Sequence, residues 1–207
     1  MSLRLPVKNG HGGCRHALGS IQAGRSWFVL CLVILLLGGL VSGRTLNKGT
    51  LNKDVVMGEY RAKAVFLLNF VEYIEWPAET FHGPEDPVVI GIYRSNPFDG
   101  ALKKLSKDLK IKGRFIEVKE VPNLSSLGTC HLLFVPKVSV DKERFILGKL
   151  EGMPLLTVGE NSRFLPHGGM VNFFSEGGRL RFEVSSKRLN EARLKVSARL
   201  LRIAKQR

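Results

Sequence analysis

Cysteine is scarce in this chain, and its placement excludes an internal disulfide in an exported form. Cys14 and Cys31 lie near the N-terminus, which leaves Cys130 as the one cysteine after residue 43. The Cys/His spacings of zinc fingers are absent as well. Cys130 begins the apolar run CHLLFV, which favours a buried structural thiol over a redox centre.

Motifs for nucleotide binding and catalysis are also missing. The segment GIYRSNPFDG has neither the GxGxxG spacing nor a GK[ST] ending, and no GxSxG occurs anywhere. His82, His131 and His167 lack a ligand partner at three- to five-residue spacing. We therefore expect no catalytic residue, no metal and no cofactor, and we do not expect an enzyme. A hydrolase whose convergent site the sequence does not reveal stays open as an alternative.

The N-terminus lacks acidic residues. Residues 1–26 carry four basic side chains and no acid, and the apolar run WFVLCLVILLLGGLV follows at 27–41. A membrane-spanning helix needs roughly 20 apolar residues, so this run predicts a signal peptide over 1–43, cleaved after Gly43. An uncleaved anchor is the alternative. Either places residues 44 onward in the periplasm, outside the cytoplasm.

The remaining chain is basic. After residue 43, 28 basic and 18 acidic residues leave a net charge of +10. Export and the absence of five consecutive basic residues argue against a nucleic-acid partner. The charge instead predicts solvated faces together with an anionic partner or lipid contact.

Apolar periodicity predicts one α/β domain over 58–207, preceded by a flexible arm over 44–57. Residues 59–76 have the pattern of an amphipathic helix, which should end at Trp76 because Pro77 disfavours helical geometry there. Strands are predicted at 87–93, 114–121, 131–135 and 154–159, and further helices at 101–110 and 141–150. Their alternation indicates a single compact three-layer domain with a mostly parallel sheet flanked by helices.

Two segments near the C-terminus need separate treatment. The stretch HGGMVNFFSEGGRLRFEVS at 167–185 places a turn between two apolar runs, and predicts a β-hairpin whose glycines serve backbone geometry. Beyond it, Leu189, Ala192, Val196, Leu200 and Ile203 fit one continuous helix. Ser197 could instead cap a shorter second helix, with a small strand at 194–196.

A small-anion site is the second functional hypothesis. Asn96 fits the N-cap of the helix that follows, with Pro97 at its first position. The free N–H groups of that helix start, with Arg94 nearby, could bind an anion.

The ordered segments KAVFLLNFVEYIEWP, VVIGIYRSNPFDGAL, CHLLFVPK, LLTVGENSRFLPHGGMVNFFSEGGRLRFEV and LKVSARLLRIAK resemble the YfiR family of periplasmic regulators. The resemblance covers about residues 60 to 207. It implies a compact α/β domain, usually a homodimer, that binds the periplasmic sensor domain of an inner-membrane diguanylate cyclase and holds it inactive. Release of that domain would raise cyclic di-GMP and favour biofilm formation.

The resemblance also implies a split C-terminus, with Ser186 and Ser197 each capping a short helix and a strand at 194–196. Disulfide redox control, known in the family, cannot operate within this subunit, and Arg193 stands where the family would have glycine. A ligand site is suggested in relatives near Trp76 and the C-terminus. Glu75 stands where such a site would need a basic residue, so no ligand is expected.

Partner contacts usually centre on aromatic and arginine side chains. We take as partner-binding candidates Trp76, Phe81, Phe98, Phe173 and Arg179. For each of them a purely structural place is the better supported alternative, and for Trp76 and Phe173 that place is the core.

Overall fold

The computed structural model describes residues 48–206, and the side-chain environments of residues 54–205. The predicted signal segment, and residues 44–47 of the predicted arm, lie outside the described residues. The helices are α1 (Lys48–Tyr73), α2 (Ala101–Ser106), α3 (Val140–Leu150), α4 (Ser186–Glu191) and α5 (Ala198–Ile203). The longer strands are β2 (Val88–Tyr93), β4 (Arg114–Val121), β5 (Leu132–Val135), β6 (Leu156–Gly159), β7 (Val171–Glu176) and β8 (Arg179–Val184). Four strands have two residues each: β1 (Ile74–Glu75), β3 (Lys110–Ile111), β9 (Lys195–Val196) and β10 (Lys205–Gln206).

Eight strands form one mostly parallel sheet in the order β10-β8-β7-β6-β5-β2-β4-β3. The strands β4, β2, β5, β6 and β7 run parallel, whereas β7 and β8 form an antiparallel hairpin. The predicted fold class is therefore confirmed, including the hairpin near the C-terminus.

Helices cover both faces of the sheet. Leu132 and Phe134 of β5 face a core shared with α1, α2, α4 and α5, whereas Leu133 and Val135 face a second core under α3. The central strands are buried on both faces, which explains why they are nearly continuous apolar runs. No helix among the described residues combines the length and apolarity that crossing a membrane would need.

The first helix differs from the prediction at both ends. It begins at Lys48, so residues 48–57 of the predicted arm are helical, although the domain boundaries stay a prediction. It ends at Tyr73 rather than Trp76, because Ile74 and Glu75 pair with Val196 and Lys195 as the strands β1 and β9. A long-range strand pair therefore ends the helix before Pro77 can.

The segment before α2 corrects the predicted cap. Asn96 does not cap the helix: its Oδ1 accepts a hydrogen bond from Phe98 N within a turn, at 3.0 Å. Gly100, with a φ of 74°, is the N-cap residue, and α2 begins at Ala101. The helix also ends at Ser106, because Lys110 and Ile111 turn back to pair with β4.

The glycine-rich hairpin is formed as predicted. Gly177 and Gly178, with φ of 59° and 72°, make the two-residue turn between β7 and β8. Gly169 serves close packing instead, because a Cβ at that position would lie 2.1 Å from the Phe164 ring. Gly159 approaches the same ring equally closely, since its Cβ would lie 2.2 Å away. Phe164 is thus held between two glycines.

The C-terminus is split, so the continuous helix is wrong, and the two short helices on either side of a small strand, which the resemblance implied, are confirmed. Ser197 caps α5 by accepting a hydrogen bond from Arg199 N at 3.3 Å. The cap of α4 is Ser185 rather than Ser186, and its Oγ accepts from Arg188 N at 3.4 Å. Arg193 takes the left-handed conformation that glycine favours, with a φ of 58°.

Candidate functional site

Four side chains pack together at the amino ends of the central parallel strands, and we call them the amino-edge cluster: Trp76, Phe81, Arg114 and His131. Phe81 lies parallel to the His131 ring at a centroid distance of 4.4 Å. The Arg114 guanidinium lies 3.9 Å from the Phe81 centroid. Trp76 donates from Nε1 to His131 O at 2.8 Å. Trp76 and Phe81 are half-buried, so each packs on the core while part of it faces solvent.

His131 is the buried centre of this cluster. Val89 N donates to its Nδ1 at 3.1 Å, so the ring proton of the neutral form lies on Nε2. Burial lowers the pKa of His131; a hydrogen bond with the Thr80 backbone partly opposes this shift, and the positive charge of Arg114 adds to it. The ring therefore stays uncharged near neutral pH.

Long-range contacts hold the segment that carries Trp76 and Phe81. Lys112 Nζ donates to Ile74 O at 3.1 Å, next to the β1–β9 pair. Arg114 donates to Gly83 O and to Asp86 O, at 2.9 and 2.8 Å. Near the start of the segment, Arg193 and Glu79 form an exposed ion pair at 2.5 Å.

An open cavity of about 330 Å³ lies beside the β1–β9 pair. Its lining residues come from the end of α1, from the β3–β4 turn and from β9, and they are Glu72, Tyr73, Glu75, Lys112, Lys195, Val196 and Ser197. Two acidic and two basic side chains face one another there. This mixed charge does not select a ligand of one sign.

The other predicted site residues lie apart from this cluster. Phe98 and Phe173 are only 1% and 2% exposed, so neither side chain is available to a partner in this conformation. Arg179 is exposed at the hairpin, opposite Glu176. Arg94 and Asn96 are exposed in the turn before α2, whose six residues make a short helix. No contact in the described structure favours an anion there.

A buried polar network is the arrangement closest to a catalytic one. His167 Nδ1 lies 2.7 Å from Glu143 Oε1, and Asn161 donates to the other oxygen of Glu143. The cavity beside His167 measures about 40 Å³, which is room for about one water molecule. Arg188, on its wall, is bound by Glu151 and Glu191 at 2.5 and 3.0 Å. The network therefore ties α3 to the loop before β7.

Metal and thiol chemistry find little support in the part of the chain that the structure describes. It brings together no group of three or more His, Cys, Asp or Glu side chains suited to a metal ion. Cys130 Sγ lies 3.1 Å from Leu132 O, and a Cβ on Gly91 would come within 2.6 Å of it. Burial raises the pKa of Cys130 to about 11, so this thiol is protonated at neutral pH.

Sequence reasoning missed Arg114 and His131 as parts of the site. His131 looked like the start of a strand and Arg114 like an ordinary charge on one. Only the parallel register, which places the starts of β2, β4 and β5 side by side, brings them under Phe81.

These features define an α/β domain with a partly exposed aromatic cluster at one edge of its sheet, an arrangement found in binding domains. A family model described as YfiR/HmsC-like matches residues 60–205, and the chain belongs to that family. The family is one of periplasmic regulators that act on diguanylate cyclase signalling through a membrane signalling protein. No curated protein sequence matches the chain.

Proposed function

We propose that this chain is a periplasmic repressor that binds the periplasmic sensor domain of an inner-membrane diguanylate cyclase and holds it inactive. Binding lowers cyclic di-GMP in the cell, and the repressor acts as a homodimer. The observation that carries the proposal is the family match over residues 60–205, which spans nearly the whole described domain.

Repression of this kind needs no chemistry in the repressor. A bound protein shifts its target between two states only by the difference in its affinity for them. A shift from almost fully active to almost fully inactive takes a roughly 10⁴-fold difference in affinity. A rigid surface with a few strongly binding side chains can supply that difference. The buried hydrogen-bonded network of Glu143, Asn161 and His167 is compatible with such rigidity.

The amino-edge cluster is the surface best suited to bind the sensor domain. Aromatic and arginine side chains dominate the energetics of protein interfaces. Trp76, Phe81 and Arg114 combine these types, and their hydrogen bonds and stacking fix them before a partner arrives. Little conformational entropy is then lost on binding. The exposed Glu79–Arg193 pair supplies a polar rim.

Capture of the sensor domain tests the proposal. The full-length chain, expressed with its N-terminal segment, is used to capture the tagged periplasmic domains of the membrane diguanylate cyclases of the same cell. We expect at least one domain to be retained, and we expect deletion of the chain to raise cyclic di-GMP only while that cyclase is present. Retention of no cyclase domain, with unchanged cyclic di-GMP, would refute the proposal.

A pair of aromatic variants locates the binding surface. Phe81→Ala should weaken capture by roughly 2 kcal/mol, about 30-fold in dissociation constant, because it removes a central anchor. Phe145→Ala is the matched control, since Phe145 is 53% exposed on α3, over the opposite face of the sheet. Equal losses for both variants would show that the amino-edge cluster is not the contact.

A further inference from the structure

One edge of the main sheet is only partly covered. β4 pairs with β2 through residues 116–121 on one side, whereas on the other side β3 pairs with Arg114 and Phe115 alone. Among the described residues, no strand lies beside residues 116–120 on that second side. Within the described part of the chain, these five residues therefore have no strand partner on that side.

The ladder with β2 shows which peptide groups face this open side. Arg94 N donates to Val121 O, so Val121 directs its backbone groups toward β2. Successive residues of a strand alternate in this respect. Ile116, Val118 and Glu120 therefore direct their N–H and C=O groups away from β2, to the open side. Such a row of unpaired groups is a template for pairing with another chain.

Two side chains along this edge, Glu117 and Lys119, carry opposite charges on either side of Val118. If a second copy pairs antiparallel with Val118 opposite Val118, then Glu117 lies opposite Lys119 of the partner subunit. The two-fold axis repeats this contact, so one register creates two Glu–Lys cross-strand pairs. The open stretch 116–120 is symmetric about Val118, and Pro122 ends its reach because proline cannot donate to a ladder.

Exposed apolar side chains flank the same edge. Phe115 on β4 is 48% exposed, and Leu105 on α2, which packs against β4, is 43% exposed. Both are large apolar residues on elements beside the open edge. A second copy placed there would cover them, which adds apolar burial to the backbone pairing.

We propose that residues 116–120 of β4 form the homodimer interface, by antiparallel pairing of two copies around Val118. The sheet then continues from one subunit into the other. This inference rests on the homodimer of the proposed function and not on its cyclase partner.

Charge reversal with two tagged copies tests the register. Two differently tagged full-length chains are co-expressed and co-purification is measured. With Glu117→Lys in both copies, a lysine lies opposite Lys119 at both cross-strand positions. This repulsion should raise the dimer dissociation constant about tenfold or more. Lys119→Glu in both copies should do the same. A Glu117→Lys copy with a Lys119→Glu copy restores both opposite-charge pairs, so co-purification should return. Glu85→Lys, an equal charge change at an exposed turn residue, is the control and should have no effect.

Each outcome decides the inference. Failure of the unchanged chain to self-associate would overturn it, and so would single variants that associate normally. The doubly changed chain, Glu117→Lys with Lys119→Glu, should self-associate again, which separates lost pairing from lost folding. If the single variants lose the cyclase domain but keep self-association, the edge binds the cyclase instead and the inference fails. If the unchanged chain self-associates as expected but its deletion leaves cyclic di-GMP unchanged, the proposed function fails and the dimer interface stands.

Discussion

At the scale of single residues, His131 holds the amino-edge cluster together through an uncharged ring. Its Nδ1 accepts from Val89 N and its face stacks on Phe81. Protonation would place an N–H against the Val89 N–H and a positive charge near Arg114. The contacts that build the cluster therefore also oppose its charging.

The low pKa of His131 predicts that the domain loses stability in mild acid. In the folded state its pKa is lowered from the ordinary value of 6.5, so below about that pH the unfolded chain binds more protons. The free energy of unfolding should fall as the pH drops below about 6.5, and level off once the folded form is protonated too. Urea unfolding between pH 7.5 and 5 measures this effect.

A variant without the titrating ring isolates the contribution of His131. His131→Asn keeps an acceptor for Val89 N and should flatten the slope in that pH range. His82→Asn, at an exposed histidine, should leave the slope unchanged. An unchanged slope in His131→Asn would show that other groups cause the acid sensitivity.

At the scale of elements, the short C-terminal helices depend on their caps. Ser185 accepts from Arg188 N, whereas Ser186 is already the first residue of α4. Ser185→Ala should lower the free energy of unfolding by about 1 kcal/mol, because it removes the acceptor for a free helix N–H. Ser186→Ala should change it by less than about 0.5 kcal/mol. If Ser186→Ala lowers the free energy of unfolding more than Ser185→Ala does, Ser186 is the cap, as the family resemblance implied.

The elements that the sequence predicts well are those whose signal is local. The runs predicted at 87–93, 131–135 and 154–159 contain the buried strands β2, β5 and β6, and the hairpin at 171–184 follows from alternation and its glycine turn. The two-residue strands were not predictable in this way. Residues 74–75 belong to a helical pattern and become a strand only because residues 195–196 lie beside them. The candidate site shares this limit, since Phe81, Arg114 and His131 meet only through the parallel register.

At the scale of the whole molecule, a buried ion pair joins α1 to the carboxyl edge of the sheet. Lys63 Nζ lies 2.5 Å from Glu160 Oε2, and the two side chains are 4% and 3% exposed. Tyr60 donates to Glu160 Oε1 at 2.9 Å, and Lys137 N donates to the same oxygen at 3.1 Å. The longest helix and the loops after β5 and β6 thus meet on one carboxylate.

This arrangement predicts that neutralising Lys63 alone lowers the free energy of unfolding far more than neutralising Lys63 and Glu160 together. Lys63→Met leaves the Glu160 carboxylate buried without its cation, and should lower the free energy of unfolding by roughly 3 to 5 kcal/mol. Lys63→Met combined with Glu160→Gln should recover much of that loss, because no buried charge is left unpaired. Urea unfolding of the two variants and the unchanged chain measures the difference. If the double variant is no more stable than Lys63→Met, the loss comes from packing around α1 rather than from an uncompensated charge.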